Sequence, residues 1–285
     1  AKAAILNADF RRAVYAAYSA HAVEAITLGE EHADGVIRNT LVPYTFQTTS
    51  DGRTYGSIVE KYAAELVADY EGIDLNDGHD AWYNPELAKT FAERAKEELG
   101  DSVSEWPIHI DVPVYAASEN QKNMQLAMKK SIEDAIGDYV VIDLQFLEGN
   151  SSVYYSSFYN MPTGEENSID LVFGAGWGPD YGDPLTYLHC FDVHDGDMLN
   201  YSGINIKSQG QSEEQKAVLE TLGLNEVQEI VDQATAATGD ERNKKLSSEL
   251  QGISDPGRKK PTDTERKTKK SPEKVRYDNL FNIFA

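Results

Sequence analysis

The chain has a single cysteine, Cys190, among its 285 residues, so it cannot form an intramolecular disulfide. It has no apolar run near the roughly 18 residues that a membrane-spanning helix needs. It is also poor in basic residues, because 26 Lys and Arg stand against 48 Asp and Glu and give a formal net charge of −22. A charge this negative repels phosphate backbones and acidic lipid headgroups, which disfavours nucleic-acid binding and electrostatic membrane binding.

Three common motifs of catalysis and nucleotide binding are also missing. The sequence contains no Gly-x-Ser-x-Gly nucleophile elbow, no phosphate-binding Gly-x-x-x-x-Gly-Lys loop and no dinucleotide fingerprint. The sequence has enough apolar residues to form a hydrophobic core, since 40% of the residues are hydrophobic and 10% are aromatic. We therefore predict a folded protein of one large domain or two, without a cofactor.

Helical periodicity marks three segments in the first hundred residues. Asn7 or Asp9 can cap a helix that continues to Gly29. A second helix is predicted over residues 57–70 from its apolar spacing. The third has Asn84 as its cap and Pro85 in its first turn, and Gly100 ends it.

From residue 106 onward the pattern alternates between strands and helices. We predict strands over 108–114, 139–147 and 169–173, and helices over 119–136 and 151–159. Connections of this length favour parallel pairing of the strands with helices packed on the sheet. The predicted fold class is therefore an α/β layered domain.

The carboxy-terminal part changes in composition. Residues 213–233 have a helical pattern that Gly223 interrupts. Residues 241–285 hold 12 basic and 7 acidic residues, whereas residues 1–240 hold 14 basic and 41 acidic residues, a charge of −27. Between Ser254 and Lys274 there is no aliphatic or aromatic residue, so we predict that this stretch is disordered. Contact of its basic run with an anionic partner is the alternative.

The segment GAGWGPDYGDP, residues 174–184, is the strongest candidate for a binding site. It follows the third predicted strand, at the edge where open α/β sheets bind their ligands. Trp177 and Tyr181 offer flat apolar surfaces, and the carboxylate of Asp180 beside an indole suits an ammonium group. The alternative is a structural turn in which Asp183 caps the next helix and Trp177 fills the core.

Other chemistry-bearing residues have weaker patterns. The run HCFDVH places zinc-ligand types at His189, Cys190, Asp192 and His194, but at no recognised zinc spacing, and we predict no metal site. A glycosidase-type acid and nucleophile would need Asp180 with Asp111 or Asp143. We interpret Tyr154, Tyr155 and Tyr159 as a helix face packed on the sheet, with a binding platform as the alternative, and His21 and His109 as buried or half-buried structural histidines.

The segment GAGWGPDYGDPLTYL resembles the signature of the peptide-binding proteins of bacterial ABC importers, the oligopeptide-binding family, and most closely its streptococcal and lactococcal lipoprotein branch. Other stretches agree with that family in the same order along the chain: LNADFRRAVYAAYSAHA, RNTLVPYTF, YNPELAKTFAERAKEEL, WPIHIDVPV, YVVIDLQFL and LGLNEVQEIVDQATAATGD. The resemblance covers most of residues 3–240.

The resemblance implies a periplasmic-binding-protein-like (type II) lobe with a mixed, mostly parallel sheet and helices on both faces. Members of this family are similar to Venus flytraps, because two α/β lobes close on an extended peptide. The aspartate of their Gly-Trp-x-x-Asp-Tyr motif pairs with the α-ammonium group of the peptide. Carried over by motif position, this residue is Asp180, and Gly176, Trp177 and Tyr181 would lie beside it. His189 and Cys190 depart from the family's pattern.

The resemblance also implies a division of the chain and a set of partners. A full family member is much longer, so residues 1–212 would be the second ligand-binding lobe, 213–240 a helical return segment, and 241–285 a basic tail that does not match the family. The implied partners are an oligopeptide, the permease subunits of an ABC transporter and the missing first lobe of the same protein. We expect no enzymatic activity, and an extracellular position on the cell membrane with a lipid anchor outside this chain. The alternatives are an acidic secreted hydrolase and a structural fragment that binds no ligand.

Overall fold

The computed structural model describes most of the first 241 residues, namely 1–159, 161, 167–173, 178–202, 204, 213–221, 223–237, 239 and 241. The stretch predicted to be disordered, residues 254–274, lies outside the described residues, as do Gly176 and Trp177 of the predicted site. Within the described part, no helix is both long enough and apolar enough to cross a membrane.

Three short helices form the amino-terminal part: α1 (Lys2–Ile5), α2 (Ala8–Ala17) and α3 (Ala20–Leu28). The prediction of one continuous helix up to Gly29 is wrong, because the backbone is extended at Tyr18 and Ser19. The hydroxyl of Ser19 accepts a hydrogen bond from the N–H of Ala22 at 3.1 Å and donates one to the carboxylate of Asp80 at 3.0 Å. Ser19 therefore caps a new helix, although the apolar spacing of the sequence continues before and after this residue.

Two longer helices follow: α4 (Tyr55–Leu66) and α5 (Pro85–Leu99). The side chains of Thr54 and Asn84 each accept a backbone N–H of the first turn. Helix α5 confirms the prediction at both ends. Helix α4 begins earlier than residue 57 and ends at Leu66, where an extended residue leads into a separate 3₁₀ turn, Ala68–Tyr70.

A strand, a helix and a second strand form the centre of the α/β unit: β1 (Ile108–Tyr115), α6 (Glu119–Ile136) and β2 (Val140–Leu147). The strands pair in parallel, from Ile108 opposite Val140 to Tyr115 opposite Leu147. This arrangement confirms the two predicted strands, their crossover helix and their parallel pairing. It follows from the length of the crossover, since parallel neighbours need a dozen or more residues between them.

The third predicted strand, residues 169–173, is wrong. The backbone N–H groups of Asp170 and Leu171 both donate to the carbonyl oxygen of Asp111, at 3.0 and 3.2 Å. The N–H of Asp111 donates in turn to the side-chain carboxylate of Asp170 at 3.0 Å. The segment therefore forms hydrogen bonds with β1 at one residue, Asp111, and a carboxylate takes the place that a backbone carbonyl has in a ladder.

Four further helices complete the described part: α7 (Ser151–Ser156), α8 (Leu185–Leu188), α9 (Glu213–Thr221) and α10 (Leu224–Ala236). The break that Gly223 predicts is confirmed, because Gly223 has φ of 70° between α9 and α10. This left-handed conformation favours glycine.

The apolar residues form two clusters. One joins α2, α5 and α6 to a single face of the sheet, where Ile110 and Val112 pack with Met128 and Ile132. The other joins α4 to residues 185–204 and to α9 and α10. Tyr115 points to the opposite face of β1, where its ring lies 5.9 Å from that of Tyr154 on α7. Helices thus contact the sheet from both sides.

His21 on α3 lies between two carboxylates and is half-buried, as predicted. Its Nδ1 is 2.7 Å from Oδ1 of Asp34, and its Nε2 is 2.9 Å from Oε2 of Glu30. Only the protonated imidazolium can donate from both nitrogens. These hydrogen bonds, with Asp34 the larger cause, raise the pKa of His21.

We expect His21 to stabilise the fold in acid and to lose that effect in base. Because its folded pKa is raised above the unfolded value of about 6.5, the stabilisation is fully present below about 6.5 and disappears as the pH rises through the folded pKa. Thermal unfolding of the wild type and of His21→Gln, measured from about pH 5 to about pH 9, checks this. The difference in Tm should be largest at the acidic end, and a difference independent of pH would contradict the prediction.

Candidate functional site

The carboxyl ends of the two parallel strands lie side by side, since Tyr115 is opposite Leu147. The N–H of Ala116 donates to the carbonyl oxygen of Leu147 at 3.2 Å and continues the pairing by one residue. Helix α7 begins a few residues later and packs Tyr154 against Tyr115. This is the edge of an open α/β sheet at which ligands bind.

The turn before α8 carries Asp180 and is held by internal hydrogen bonds. The N–H of Asp180 donates to the hydroxyl of Thr186 at 3.0 Å, and Thr186 is fully buried. The N–H of Asp183 donates to the carbonyl oxygen of Tyr181, and the carboxylate of Asp183 accepts the N–H of Leu185, each at 3.0 Å. The backbone at Asp180 is therefore fixed to the core through a buried hydroxyl.

The two carboxylates of this turn have different roles. Asp183 forms a local turn with the residue two positions on, so the structural interpretation of the segment applies to it. The side chain of Asp180 is exposed, and within the described part of the chain it has no hydrogen-bond or ion-pair partner. A carboxylate presented on a fixed turn can accept a charge-assisted hydrogen bond from an ammonium group. Gly176 and Trp177 are not described, so the convergence predicted for the four residues stays a prediction.

Tyr181, the other described residue of the predicted site, contacts His189. Its hydroxyl lies 3.1 Å from Nδ1 of His189, and the two rings meet edge to face with centroids 6.0 Å apart. Both side chains are exposed. His189, which departs from the family's pattern, therefore orients the tyrosine beside Asp180.

The histidines and the cysteine of HCFDVH do not converge. Cys190 is buried, whereas His189 and His194 are exposed. Among the residues that the structure describes, no three His, Cys, Asp or Glu side chains are placed to hold a metal ion together. Burial raises the pKa of the Cys190 thiol to about 12, and the carboxylates of Asp197 and Asp180 add to the effect. The thiol is therefore protonated at neutral pH and is a poor nucleophile.

We expect Cys190 to react with a thiol reagent only after unfolding. Both the low thiolate fraction and the burial slow the reaction, by at least about 100-fold relative to the unfolded chain. The measurement is the rate of reaction with Ellman's reagent near pH 8, with and without denaturant. Equal rates in the two states would contradict both the burial and the raised pKa.

One face of the sheet is lined by polar side chains, including Asp111 and Asp143, the two alternative partners of Asp180 in the glycosidase-type hypothesis. Asp111 and Asp143 are directly opposite in the register. Asp111 accepts a hydrogen bond from the amide of Gln145, and Asp143 lies 2.7 Å from Nδ1 of His109. The prediction of a buried or half-buried His109 is wrong, because the side chain stands on the solvent side of the strand. Each carboxylate thus has a neighbouring side chain as its partner.

Asp170 is a member of this cluster that the sequence pattern did not single out. Burial is the main cause that raises the pKa of its carboxyl, and the charge of Asp111 adds to it, while the hydrogen bond from the Asp111 N–H opposes both. The side chain closes the contact between residues 169–173 and β1. Asp170 therefore has a structural role, because its carboxylate holds this segment against β1.

Comparison with solved structures gives the class of fold. A peptide-binding protein of a peptide ABC transporter superposes with a TM-score of 0.53 at 22% identity, over 88% of this chain and 86% of that one. The OppA protein of Listeria monocytogenes, bound to a peptide, superposes with a TM-score of 0.53 at 17% identity, over 88% of this chain and 37% of that one. The fold is that of the periplasmic-binding-protein-like peptide-binding proteins, and the fold class predicted from the sequence is confirmed.

Comparison with curated proteins gives the relatives by sequence. The oligopeptide-binding protein AliB of Streptococcus pneumoniae serotype 4 is 37% identical over 202 residues, which are 70% of this chain and 30% of AliB. The oligopeptide-binding protein SarA of Streptococcus gordonii is 32% identical over 241 residues, which are 84% of this chain and 35% of SarA. No family model matches the sequence. The resemblance to the oligopeptide-binding proteins is confirmed: the chain is related to the streptococcal members and spans about a third of their length.

Proposed function

We propose that this chain is the second lobe of an oligopeptide-binding protein that delivers peptides to an ABC permease. The observation that supports this most directly is the Asp180 carboxylate, which is exposed on a turn anchored by Thr186 and has no partner within the described residues. The names of the relatives point to the same ligand class. In this proposal Asp180 binds the α-ammonium group, and Gly176, Trp177 and Tyr181 line the site around it.

The proposal assigns the rest of the chain as well. Residues 1–212 form the lobe, residues 213–240 form the helical segment that returns from it, and residues 241–285 form the tail. The packing of α9 and α10 against residues 185–204 is consistent with a return segment that stays in contact with the lobe. The first lobe of the same protein would cover the ligand from the other side, as the coverage of only a third of the relatives suggests.

The proposed location of the protein is the extracellular face of the cell membrane, with a lipid anchor outside this chain. Peptide recognition there needs no chemistry, and we propose no catalytic residue and no cofactor. The acidic body suits a cationic end of a peptide, since residues 1–240 hold 41 acidic and 14 basic residues. Loose selectivity for side chains follows if bonds to the peptide backbone and water provide most of the affinity.

A thermal-shift measurement with a mixed pool of peptides tests the proposal. A pool with free amino termini at 100 times the dissociation constant should stabilise the fold by about 2.7 kcal/mol, and the same pool after acetylation should have much less effect. No shift with either pool would favour the structural fragment. Release of sugar from an added oligosaccharide would favour the hydrolase.

A further inference from the structure

Five aromatic side chains form a continuous platform near the carboxyl end of β1. The residues of this aromatic platform are Tyr154, Tyr155, Phe158, Tyr159 and Tyr201. Their rings meet at centroid distances of 5.1 Å for Tyr154 and Phe158, 5.7 Å for Phe158 and Tyr201, and 4.8 Å for Tyr159 and Tyr201. Each distance is within the range of favourable aromatic pairs, so the rings support one another.

The aromatic platform has a buried base and an accessible rim. Tyr154 and Phe158 are buried, whereas Tyr155 is 47% exposed and Tyr159 and Tyr201 are half-buried. The amide of the buried Asn200 donates to the hydroxyl of Tyr159 at 3.3 Å, which fixes the ring and leaves the O–H proton to point to another acceptor. A rigid apolar surface with polar tips at its rim is suited to binding a flat side chain.

The platform lies at the edge of the sheet where β1 ends. Tyr154 connects it to Tyr115, the last residue of β1. Tyr201 belongs to the 3₁₀ turn Asp197–Ser202, which packs against the turn that carries His189 and Cys190. The aromatic platform thus contains a residue of the turn that packs against the turn of His189, the partner of Tyr181.

Gly196 permits the close packing of these two turns. A Cβ atom there would lie 2.5 Å from the carbonyl oxygen of Cys190 and 2.6 Å from the backbone nitrogen of Asp192, so only glycine fits. Asp197, the first residue of the second turn, follows directly after this glycine.

We propose that the aromatic platform binds an aromatic side chain of the peptide whose amino terminus is held by Asp180. The inference rests on the proposed function and adds a preference to it. The surroundings favour a position near the cationic end of the peptide, because residues 178–202 contain five aspartates and no lysine or arginine. The partner ring packs against Tyr155 and Tyr201 in the edge-to-face manner in which Tyr159 meets Tyr201.

A position scan by calorimetry tests this. Heptapeptides of alanine and serine with a free amino terminus carry one phenylalanine, moved through the positions in turn. At one position phenylalanine should bind about tenfold more tightly than alanine, and the preference should fall by at least about threefold in Tyr155→Ala and in Tyr201→Leu. Tyr155→Phe keeps the ring and should keep the preference. Tyr83→Ala removes a tyrosine of similar exposure, 37%, elsewhere on the surface. It should change neither the affinity for the phenylalanine peptide nor that for the alanine peptide.

The outcomes separate the platform from the proposed function. One outcome is that peptides bind and that acetylation weakens their binding, but that no position prefers phenylalanine or that both platform variants keep the preference. In that case the platform is not a subsite, and the proposed function stands. If no heptapeptide binds either the wild-type chain or the two-lobed protein, the platform and the proposed function are both wrong. Because Tyr155 is exposed, its variants are expected to fold, and circular dichroism checks this for them and for Tyr201→Leu before titration.

Discussion

Replacement of Asp180 by asparagine is expected to weaken peptide binding by roughly 10- to 150-fold. The substitution keeps the shape of the side chain and removes its charge, so the bond to the α-ammonium group loses the ionic contribution of about 1.5–3 kcal/mol. At about 1.4 kcal/mol per tenfold change in the dissociation constant, this gives the stated range. The turn should be unchanged, because Thr186 bonds to the backbone of Asp180 and not to its carboxylate.

The ion pair between Asp180 and the α-ammonium group can also be removed by acetylating the amino terminus of the peptide. The acetylated peptide should bind the wild type as weakly as the free peptide binds Asp180→Asn, and the two losses should not add, since each removes the same interaction. Asp195→Asn is the matched control, because Asp195 is another exposed aspartate of the same acidic stretch and its loss should weaken binding by less than about threefold. Equal affinity of the free and acetylated peptides for the wild type would show that Asp180 is not the amino-terminal anchor.

Replacement of Phe91 by alanine is expected to destabilise the fold by about 3–5 kcal/mol. Phe91 on α5 is fully buried in the cluster that joins the helices to the sheet. Its ring lies 6.0 Å from that of Tyr70, and the guanidinium of Arg94 stands 4.7 Å from its centroid. The variant would lose the transfer free energy of the ring, leave a cavity and remove the surface on which Arg94 rests.

The control for Phe91 is the same substitution at an exposed phenylalanine. Phe146 on β2 is 49% exposed, and Phe146→Ala should change the free energy of unfolding by no more than about 1 kcal/mol. Urea unfolding followed by circular dichroism measures both variants. Similar losses for the two would mean that the helices and the sheet do not share the core described here.

The elements predicted well are those whose local signals agree with their packing. Helix α5 has an asparagine cap at Asn84, a first-turn proline and a terminal glycine, and the structure uses all three. The strands around α6 are β-branched and apolar on the face that packs, so propensity and burial favour the same conformation. Agreement between local preference and tertiary contact is what makes a segment predictable.

Two of the wrong predictions arise where a distant partner decides the local structure. The apolar spacing continues through Ser19, but the carboxylate of Asp80 holds its hydroxyl and the helix restarts there. Residues 169–173 are as apolar as a strand, yet the side chain of Asp170 takes the hydrogen bond that a ladder would need. Neither partner is visible in a local pattern, because each depends on chain segments about 60 residues away.

The candidate site was predictable only in part for the same reason. The motif around Asp180 identified the exposed carboxylate, and composition indicated that Asp183 serves the turn. The anchoring role of Thr186 had no signal in the sequence, since it depends on the burial of one hydroxyl. Tyr154 confirms the prediction of a packed tyrosine face on α7, whereas the accessible rim depends on Tyr201 from a distant turn.

A structure of this chain with a bound peptide, or of the two-lobed protein if the lone lobe binds too weakly, tests the central claim most directly. The account predicts that the α-ammonium nitrogen lies about 2.7–3.2 Å from a carboxylate oxygen of Asp180, with Tyr181 beside it. An amino terminus bound by another acidic residue, or a peptide seated away from the turn of residues 178–188, would contradict it.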